Sequence, residues 1–400
     1  MKKCLLHIIL LVFIMNNSLA QTNSLKENYF SALAEYRKNN LQEALFILDR
    51  HPEHERFIEF KARILSETGN YNEAIKSYNK LAETNPSKSY YELARIYAEM
   101  GFEIESTHFL DKHFQHNNPV SMSEINMESA FFVINRTQEW REFWKIRRYN
   151  TIQEKIEEAS YMINQNRPHE AINILINLKG GHYSHKIDYL FANAYIKYND
   201  YGSALNHINE AIRRDRKNIT YLELRRDIYI KTEEDRLALD DINTLIKLDE
   251  FNPGYPVIKA KLENNIKNYT AASETLEFYL KFFPDDEDAL YYSAVVYSNM
   301  EQYSDALIKY NKLIELNPSK PEYFTERADI YFFFEEWNFA LQDYSMALDI
   351  NPRLPDVYYN LGWCRYKMND KRKACYAWKH ALRLKHNQAA RTLFKYCKEL

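Results

Sequence analysis

The chain of 400 residues carries 53 basic and 56 acidic side chains, a formal net charge of −3. No basic stripe of the kind that tracks phosphate is present, which argues against a nucleic-acid partner. With only 7 glycines, far below the roughly 7% of average usage, loops that cradle phosphates and tight sheet turns have little to be built from, so helix throughout and no cofactor are the expectation.

In chain order, Lys2 and Lys3, the apolar run from Leu5 to Met15 and the small-residue site Ser18-Leu19-Ala20 read as a secretory signal over residues 1–20, cleaved before Gln21. A membrane anchor needs about 20 apolar residues, and this run is shorter and carries His7. Cys4 precedes the run and so cannot be a lipoprotein cysteine. The expectation is a periplasmic or secreted protein, from a bacterial envelope, with no stable membrane insertion after signal cleavage.

Residues 21–118 read as repeating helix pairs. Ala44 anchors a short first unit, IEFKARILSETGNYNEAIKSYNKLAETNP places Ala62, Gly69, Tyr71, Ala74, Tyr78 and Pro86, and YYELARIYAEMGF opens another with Ala94, Tyr97 and Gly101. Over 119–157 the register is lost: SMSEINMESAFFVINRTQEWREFWKIRRYN holds Trp140 and Trp144 without small-residue pairing, and a degenerate helical segment is predicted. A regular array follows over 158–388, where Ala171 leads into Ala204, Ala238, Ala272, Ala306, Ala340 and Ala374, each 34 residues after the last. Residues 389–400, with Ala389, Ala390, Leu393, Phe394 and Cys397 at helical spacing, predict a capping helix.

With each ladder alanine counted as position 20, position 8 holds Ala192, Ala260, Ala294, Ala328 and Gly362. Two antiparallel helices approach to about 8 Å only where side chains at the crossing are small, so positions 8 and 20 mark the contact within a pair. Larger residues flank it: Tyr195, Tyr229, Tyr297 and Tyr331 at position 11, Tyr201, Tyr269, Tyr303 and Trp337 at position 17, and Ile208, Ile242, Leu276, Tyr310, Tyr344 and Trp378 at position 24. Pro284, Pro318 and Pro352 close their units, and Pro321 and Pro355 suit the first turn of the next helix. Lys309 is expected on a solvent-facing position.

On these residues the chain resembles the tetratricopeptide repeat family. VYYNLGWCRYKMNDKRKACYAWKHAL carries the family's small, aromatic and alanine positions at Leu361, Gly362, Ala374, Trp378 and Ala381, and YFTERADIYFFFEEWNFALQDYSMALDINP carries them at Phe324, Ala328, Tyr331, Ala340, Tyr344, Ala347 and Pro352. Arg226 at position 8 and Arg365 at position 11 depart from the pattern, which predicts looser units there. The resemblance implies an all-α, right-handed superhelical solenoid of about ten to eleven stacked antiparallel helix pairs, one or more of them degenerate. It also implies a concave face lined by the first helix of each unit. The partner-binding residues it assigns are Tyr291, Tyr292, Glu326, Asp329, Phe333, Tyr359, Asn360, Trp363 and Tyr366. Such a mixture of aromatic and acidic side chains suits a peptide or protein with apolar anchors and basic flanks. A carboxylate clamp is not expected, because Glu326 and Asp356 stand where basic residues would be needed.

No HExxH, GxSxG, phosphate-binding glycine loop or CxxC occurs, so no catalytic or metal residue is assigned. His108, His113 and His116, and likewise His182 and His185, lack the further ligands of a zinc spacing. Cys375 could face Cys397, but with no family spacing to support a bridge, Cys364, Cys375 and Cys397 are read as three small buried hydrophobes. The expected function is an exported, non-enzymatic scaffold that binds a peptide or protein partner within an envelope-associated assembly. A glycan-handling module of a polysaccharide export system is the alternative, since tyrosine and tryptophan stack on sugars. An enzyme hidden near Trp140 comes third.

Overall fold

The computed structural model describes residues 24–116, 120–146, 149–178 and 181–397. The signal expected over 1–20, its cleavage point, the boundary at 118 and the last three residues of the expected cap lie outside the described residues. Among the described residues all regular structure is helical and no strand occurs. None of these helices is long and apolar enough to cross a membrane.

The chain divides into two compact units, one ending at Asn252 and the other beginning at Pro253. The first contains the pairs 24–37 with Leu41–Leu48, Glu55–Glu67 with Tyr71–Leu81, Pro86–Glu99 with Glu103–Phe114, Thr151–Asn164 with Pro168–Ile176, Ser184–Lys197 with Tyr201–Arg214, and Ile219–Lys231 with Asp235–Leu248. The second contains Gly254–Asn265 with Tyr269–Leu280, Glu287–Asn299 with Tyr303–Leu316, Pro321–Phe333 with Trp337–Ile350, and Pro355–Lys367 with Lys371–Arg383, and ends in Ala389–Tyr396.

Packing within each pair follows the small residues. All six ladder alanines are fully buried, as are Ala192, Ala260, Ala294 and Ala328 opposite them. The position-24 side chains Ile208, Ile242, Leu276, Tyr310, Tyr344 and Trp378 are also wholly covered. Pro321 and Pro355 open their helices, where the missing amide has no intrahelical partner to lose.

Each first helix ends in the same way. Asn199, Glu233, Lys267, Glu301, Glu335 and Asn369, all at position 15, have φ between 57 and 66°. The next residue's N–H then returns to a carbonyl five back, as from Asp200 to Tyr195 or from Gln302 to Tyr297, which is the Schellman closure of a helix end. Glycine holds this conformation without strain, and it does so here only in the amino half, at Gly69 and Gly101.

Two expectations about single residues are corrected. Arg226 does not loosen its pair: it is buried, its guanidinium donates to Asp227 Oδ1 at 2.8 and 2.9 Å, and Ala238 and Ile242 beside it remain fully covered. Lys309 is not solvent-facing, because position 23 looks across at the first helix of its own pair. Its Nζ sits 2.8 Å from Glu277 and 5.9 Å from the Tyr297 ring centroid.

The segment without register is a different kind of pair. Ser121 and Glu124 form a capping box that starts the short helix Met122–Met127, a 3-10 turn covers Ser129–Val133, and Thr137 caps Gln138–Lys145. Ile125, Phe131, Ile134, Trp140 and Phe143 form one core with Ala94, Ala98 and Leu110. Trp140 is packed against Phe131 at 5.3 Å and Phe143 at 6.0 Å. It is a core residue, and neither described cavity borders it.

Within the first unit, chain segments about 200 residues apart meet. Phe251 lies 4.9 Å from Tyr29 and 5.3 Å from His54, ring centroid to ring centroid, and Arg56 forms an ion pair with Asp249. Beside this junction Arg56, Glu59, Tyr78 and Lys88 help line a cavity of about 570 Å³.

In the second unit Ala389–Tyr396 packs on the pair before it, and Cys375 is joined to Cys397 by a disulfide. The reading of three small buried thiols is therefore wrong for two of them. The helix turn at Cys397 brings its sulfur back over the second helix of the last pair, a proximity that spacing along the chain does not encode. Among the described residues only Cys364 is free, and it is buried.

Candidate functional site

Several buried ionisable groups between the helices are met by an opposite charge. Arg225 grips Asp241 through two hydrogen bonds of 2.9 and 2.6 Å and donates a third to Asn209 at 2.8 Å. Arg327, in the second unit, grips Asp343 at 2.7 and 2.7 Å and donates to Asn311 at 2.6 Å. The two sets occupy the same repeat positions, 7, 23 and 25. At those positions elsewhere, Lys259 faces Thr275 at 3.5 Å and the Phe191 ring stacks on His207 at 4.7 Å. The buried carboxylate of Glu263 is matched too, by Lys259 at 3.1 Å. The sequence reading missed this network, although the paired choice of residues at positions 7 and 23 was visible in it.

Two less buried carboxylates of the second unit have no such match. Glu326 and Asp329 stand one helical turn apart on Pro321–Phe333, so both project from one face. Among the described residues neither has an ion-pair partner. Asp329 accepts hydrogen bonds from the Tyr344 hydroxyl and from Asn360 Nδ2, the latter at 3.3 Å. Glu326 has no hydrogen-bond partner among the described residues. Burial by surrounding protein raises the Glu326 carboxyl above its ordinary range, and the neighbouring Asp329 raises it further. Asp329 presents open surface to solvent yet is walled by enough protein that desolvation raises it as well, against the pull of its two donors.

Five of the residues assigned from the sequence come together here. Asn360 bridges to Asp329 and to the Tyr344 hydroxyl. Tyr291 feels Glu326 as its strongest nearby charge, which with burial raises its phenol. Tyr292 lies against Tyr291 at 5.6 Å and takes Lys261 on its ring at 5.4 Å. Both tyrosines remain half-exposed.

The other four are elsewhere. Phe333 is exposed, at the end of its helix, in contact with Phe334 and Tyr303 at 5.2 Å each. Tyr359, Trp363 and Tyr366 lie beneath the cap. Tyr359 stacks on His386 at 4.1 Å and reaches Thr392 at 3.1 Å, while Trp363 and Tyr366 meet the Tyr396 ring at 5.4 and 5.0 Å. Alanine at Tyr359 or Trp363 would thus disturb the cap before it disturbed any partner.

Two side chains that the sequence reading treated only as packing belong to the site. Tyr344 and Tyr310 are fully covered, yet each carries a hydroxyl that must end somewhere. For Tyr344 that place is Asp329. For Tyr310 the equivalent residue is Val295, which offers no acceptor, and its buried hydroxyl instead lies beside the buried hydroxyl of Ser298. A tyrosine in place of an aliphatic residue at position 24 was the available signal.

Two of the histidines considered as ligands, His113 and His185, are held by hydrogen bonds within the protein. His113 is buried, its Nδ1 donating to the Ser87 carbonyl and its Nε2 accepting from the Val120 N–H, each at 2.8 Å. Burial lowers its pKa, and both nitrogens are taken. His185 bonds to the Tyr221 hydroxyl at 2.8 Å. Among the described residues no group of three or more His, Cys, Asp and Glu side chains is arranged to hold a metal ion.

Models of the tetratricopeptide repeat match residues 56–88, 288–319 and 356–384. Among curated proteins none matches significantly. Among solved structures, the C-terminal part of a repeat-containing protein from Cytophaga hutchinsonii is 19% identical, with a TM-score of 0.50 over 60% of this chain and 99% of its own. A tetratricopeptide repeat protein from Parabacteroides merdae is 20% identical, with a TM-score of 0.48 over 61% of this chain and 98% of its own. At 19% identity the likeness to the Cytophaga hutchinsonii structure bears on the fold alone.

Proposed function

Because this chain belongs to the tetratricopeptide repeat family, we propose that it is a non-catalytic, exported scaffold that captures a peptide or protein partner on the first-helix face of its second unit, within an envelope-associated assembly. The observation that carries this is the convergence of Tyr291, Tyr292, Glu326, Asp329 and Asn360 on one face that neither the cap nor a neighbouring side chain neutralises. Half-exposed tyrosines give a partner large contact area at low entropy cost, and the polar groups between them give it register.

Export is supported by the Cys375–Cys397 bridge, since disulfides persist in oxidising compartments and seldom elsewhere. The glycan alternative gains no comparable support: none of the five tryptophans is exposed, and the aromatic pair nearest the cap is already stacked within the protein.

The test is capture from an envelope extract by the mature chain, with Tyr291→Ala/Tyr292→Ala as the comparison. The double variant should lose a stoichiometric protein by at least about tenfold in affinity, the scale of a truncated anchor, while its helical circular dichroism is unchanged. Undiminished capture by the folded variant would place the site elsewhere.

A further inference from the structure

The second unit carries its charge unevenly. Residues 253–350 hold 8 basic and 17 acidic side chains, whereas residues 351–400 hold 12 basic and 3 acidic. The loops joining the two helices of each pair adjoin one another along one edge of this unit: Tyr303 meets Phe333 and Phe334 of the next pair at 5.2 Å each, and Lys367 lies 5.4 Å from the Trp337 ring centroid of the pair before it. We propose that this edge docks a second copy of the chain, the two edges running antiparallel about a two-fold axis that passes between the loops 333–337 and 367–371.

An exposed aromatic patch marks the edge. Phe333, Phe334 and Phe339 are 64, 53 and 55% exposed. Phe333 and Phe334 touch at 5.2 Å, Phe339 meets Tyr331 at 5.3 Å at the same end of the pair, and the next loop adds the exposed Met368. The repeat does not ask for these rings: the position of Phe333 holds Lys197, Lys231, Asn265, Asn299 and Lys367 in the other units of the ladder. Contiguous exposed apolar side chains rimmed by charge are the make-up of an interaction surface.

Charge complementarity says what covers it. Glu335 and Glu336 are exposed and form no ion pair among the described residues, and the same holds for Lys371 and Arg372 one loop further on. Asp370, beside these cations, is already held by Lys373 at 3.5 Å and Arg365 at 3.9 Å. Within one copy the acidic and basic sets stand a whole repeat apart. Across a two-fold axis, where every contact of one residue with another is made twice, each set faces its opposite, and Phe334 and Met368 cover their counterparts. A polyanion or a basic peptide laid on the same edge would find part of its charge matched and the rest opposed.

Sedimentation equilibrium of the full mature chain should show a monomer–dimer equilibrium at low salt, with a dissociation constant that rises as salt screens the paired charges. Glu335→Lys/Glu336→Lys and Lys371→Glu/Arg372→Glu each set like charges face to face, and each should raise that constant by at least about tenfold. An equimolar mixture of the two variants should recover a dimer containing one of each. Both should keep their helical circular dichroism, because Lys267 already holds the position of Glu335 with a φ of 65°, Glu336 makes no capping hydrogen bond, and glutamates suit the first turn of Lys371–Arg383. Glu315→Lys/Glu322→Lys, the same charge change at exposed positions near the other end of their pairs, should leave the constant within about twofold. A native chain that stays monomeric, a dimer that persists in both edge variants, equal weakening by the control, or a mixture that remains monomeric would each overturn the proposal. So would a monomer whose edge variants lose a protein captured from envelope extract, since the edge would then belong to a foreign partner.

Discussion

Among the position-8 residues that face the alanine ladder, Gly362 alone lacks a Cβ, and the reason lies in Trp378. Where position 8 is alanine, position 24 is isoleucine, leucine or tyrosine. Here the indole fills the space that a methyl group would need: a Cβ on residue 362 would lie 2.3 Å from Trp378 Nε1 and 2.5 Å from Cδ1. The ring cannot retreat, since Trp378 is wholly covered and its Nε1 donates to the Tyr359 carbonyl at 3.1 Å. Gly362→Ala should therefore destabilise the second unit by about 1 to 3 kcal/mol through overpacking, although alanine is the better helix former by about 1 kcal/mol. Chemical denaturation of the single variant and of Gly362→Ala/Trp378→Leu checks it, because the smaller partner should restore most of the loss. Both residues were legible in the sequence as members of their columns. Their coupling was not read, because a column lists what repeats while packing depends on pairs across columns. Position 15 was illegible for another reason: glutamate and lysine at Glu233, Lys267, Glu301 and Glu335 hold a positive φ that favours glycine or asparagine, and neither side chain signals a turn.

At the scale of elements, the cap shows what a helical pattern can and cannot say. The spacing of Ala389, Leu393 and Phe394 was enough to predict a short helix over the last exposed face, and Ala389 is indeed buried. Which side chains it covers depends on the angle of its approach, and that angle is held by residues the pattern does not connect. Tyr396 inserts among Trp363, Tyr366 and Trp378, and the Cys375–Cys397 bridge closes a loop of 22 residues behind it. In the chain-entropy account, cross-linking a loop of that length is worth about 3 kcal/mol. An eight-residue helix has little stability of its own, so the bridge should decide whether the cap stays docked. Cys375→Ser/Cys397→Ser, or treatment with a dithiol reductant, should raise amide exchange in Ala389–Tyr396 by about two orders of magnitude while Pro321–Ile350 keeps its protection. Unchanged exchange in the cap would mean that the aromatic contacts suffice without the bridge.

At the scale of the molecule, the repeat period describes only neighbours, and neighbour rules are silent about where a long array returns on itself. In the first unit it does return: Phe251 enters the cluster of Tyr29, His54 and Phe57, and Asp249 meets Arg56. Nothing in the columns marks Asp249 or Phe251, which lie between one helix pair and the next, and the small rotation from pair to pair, interrupted by the irregular segment Met122–Lys145, sums to a junction only in three dimensions. The energetic character of this contact follows from its construction. It joins Phe251 to Tyr29, His54 and Phe57 and Asp249 to Arg56, whereas Phe30, Ala32, Ala44 and Leu48 give the first pair buried side chains of its own, so losing the junction should open it without unfolding the pairs. Asp249→Ala/Phe251→Ala should accelerate amide exchange over residues 24–37 and the first turn of Glu55–Glu67 by about tenfold or more, leaving Ile219–Leu248 protected, because in a stacked array each pair is stabilised mainly by its neighbours. Loss of protection throughout the first unit would instead make the junction a cooperative part of its core. In that case the cavity beside Arg56, Glu59 and Lys88 would vanish with it, since its wall is built from the residues that the junction holds in place.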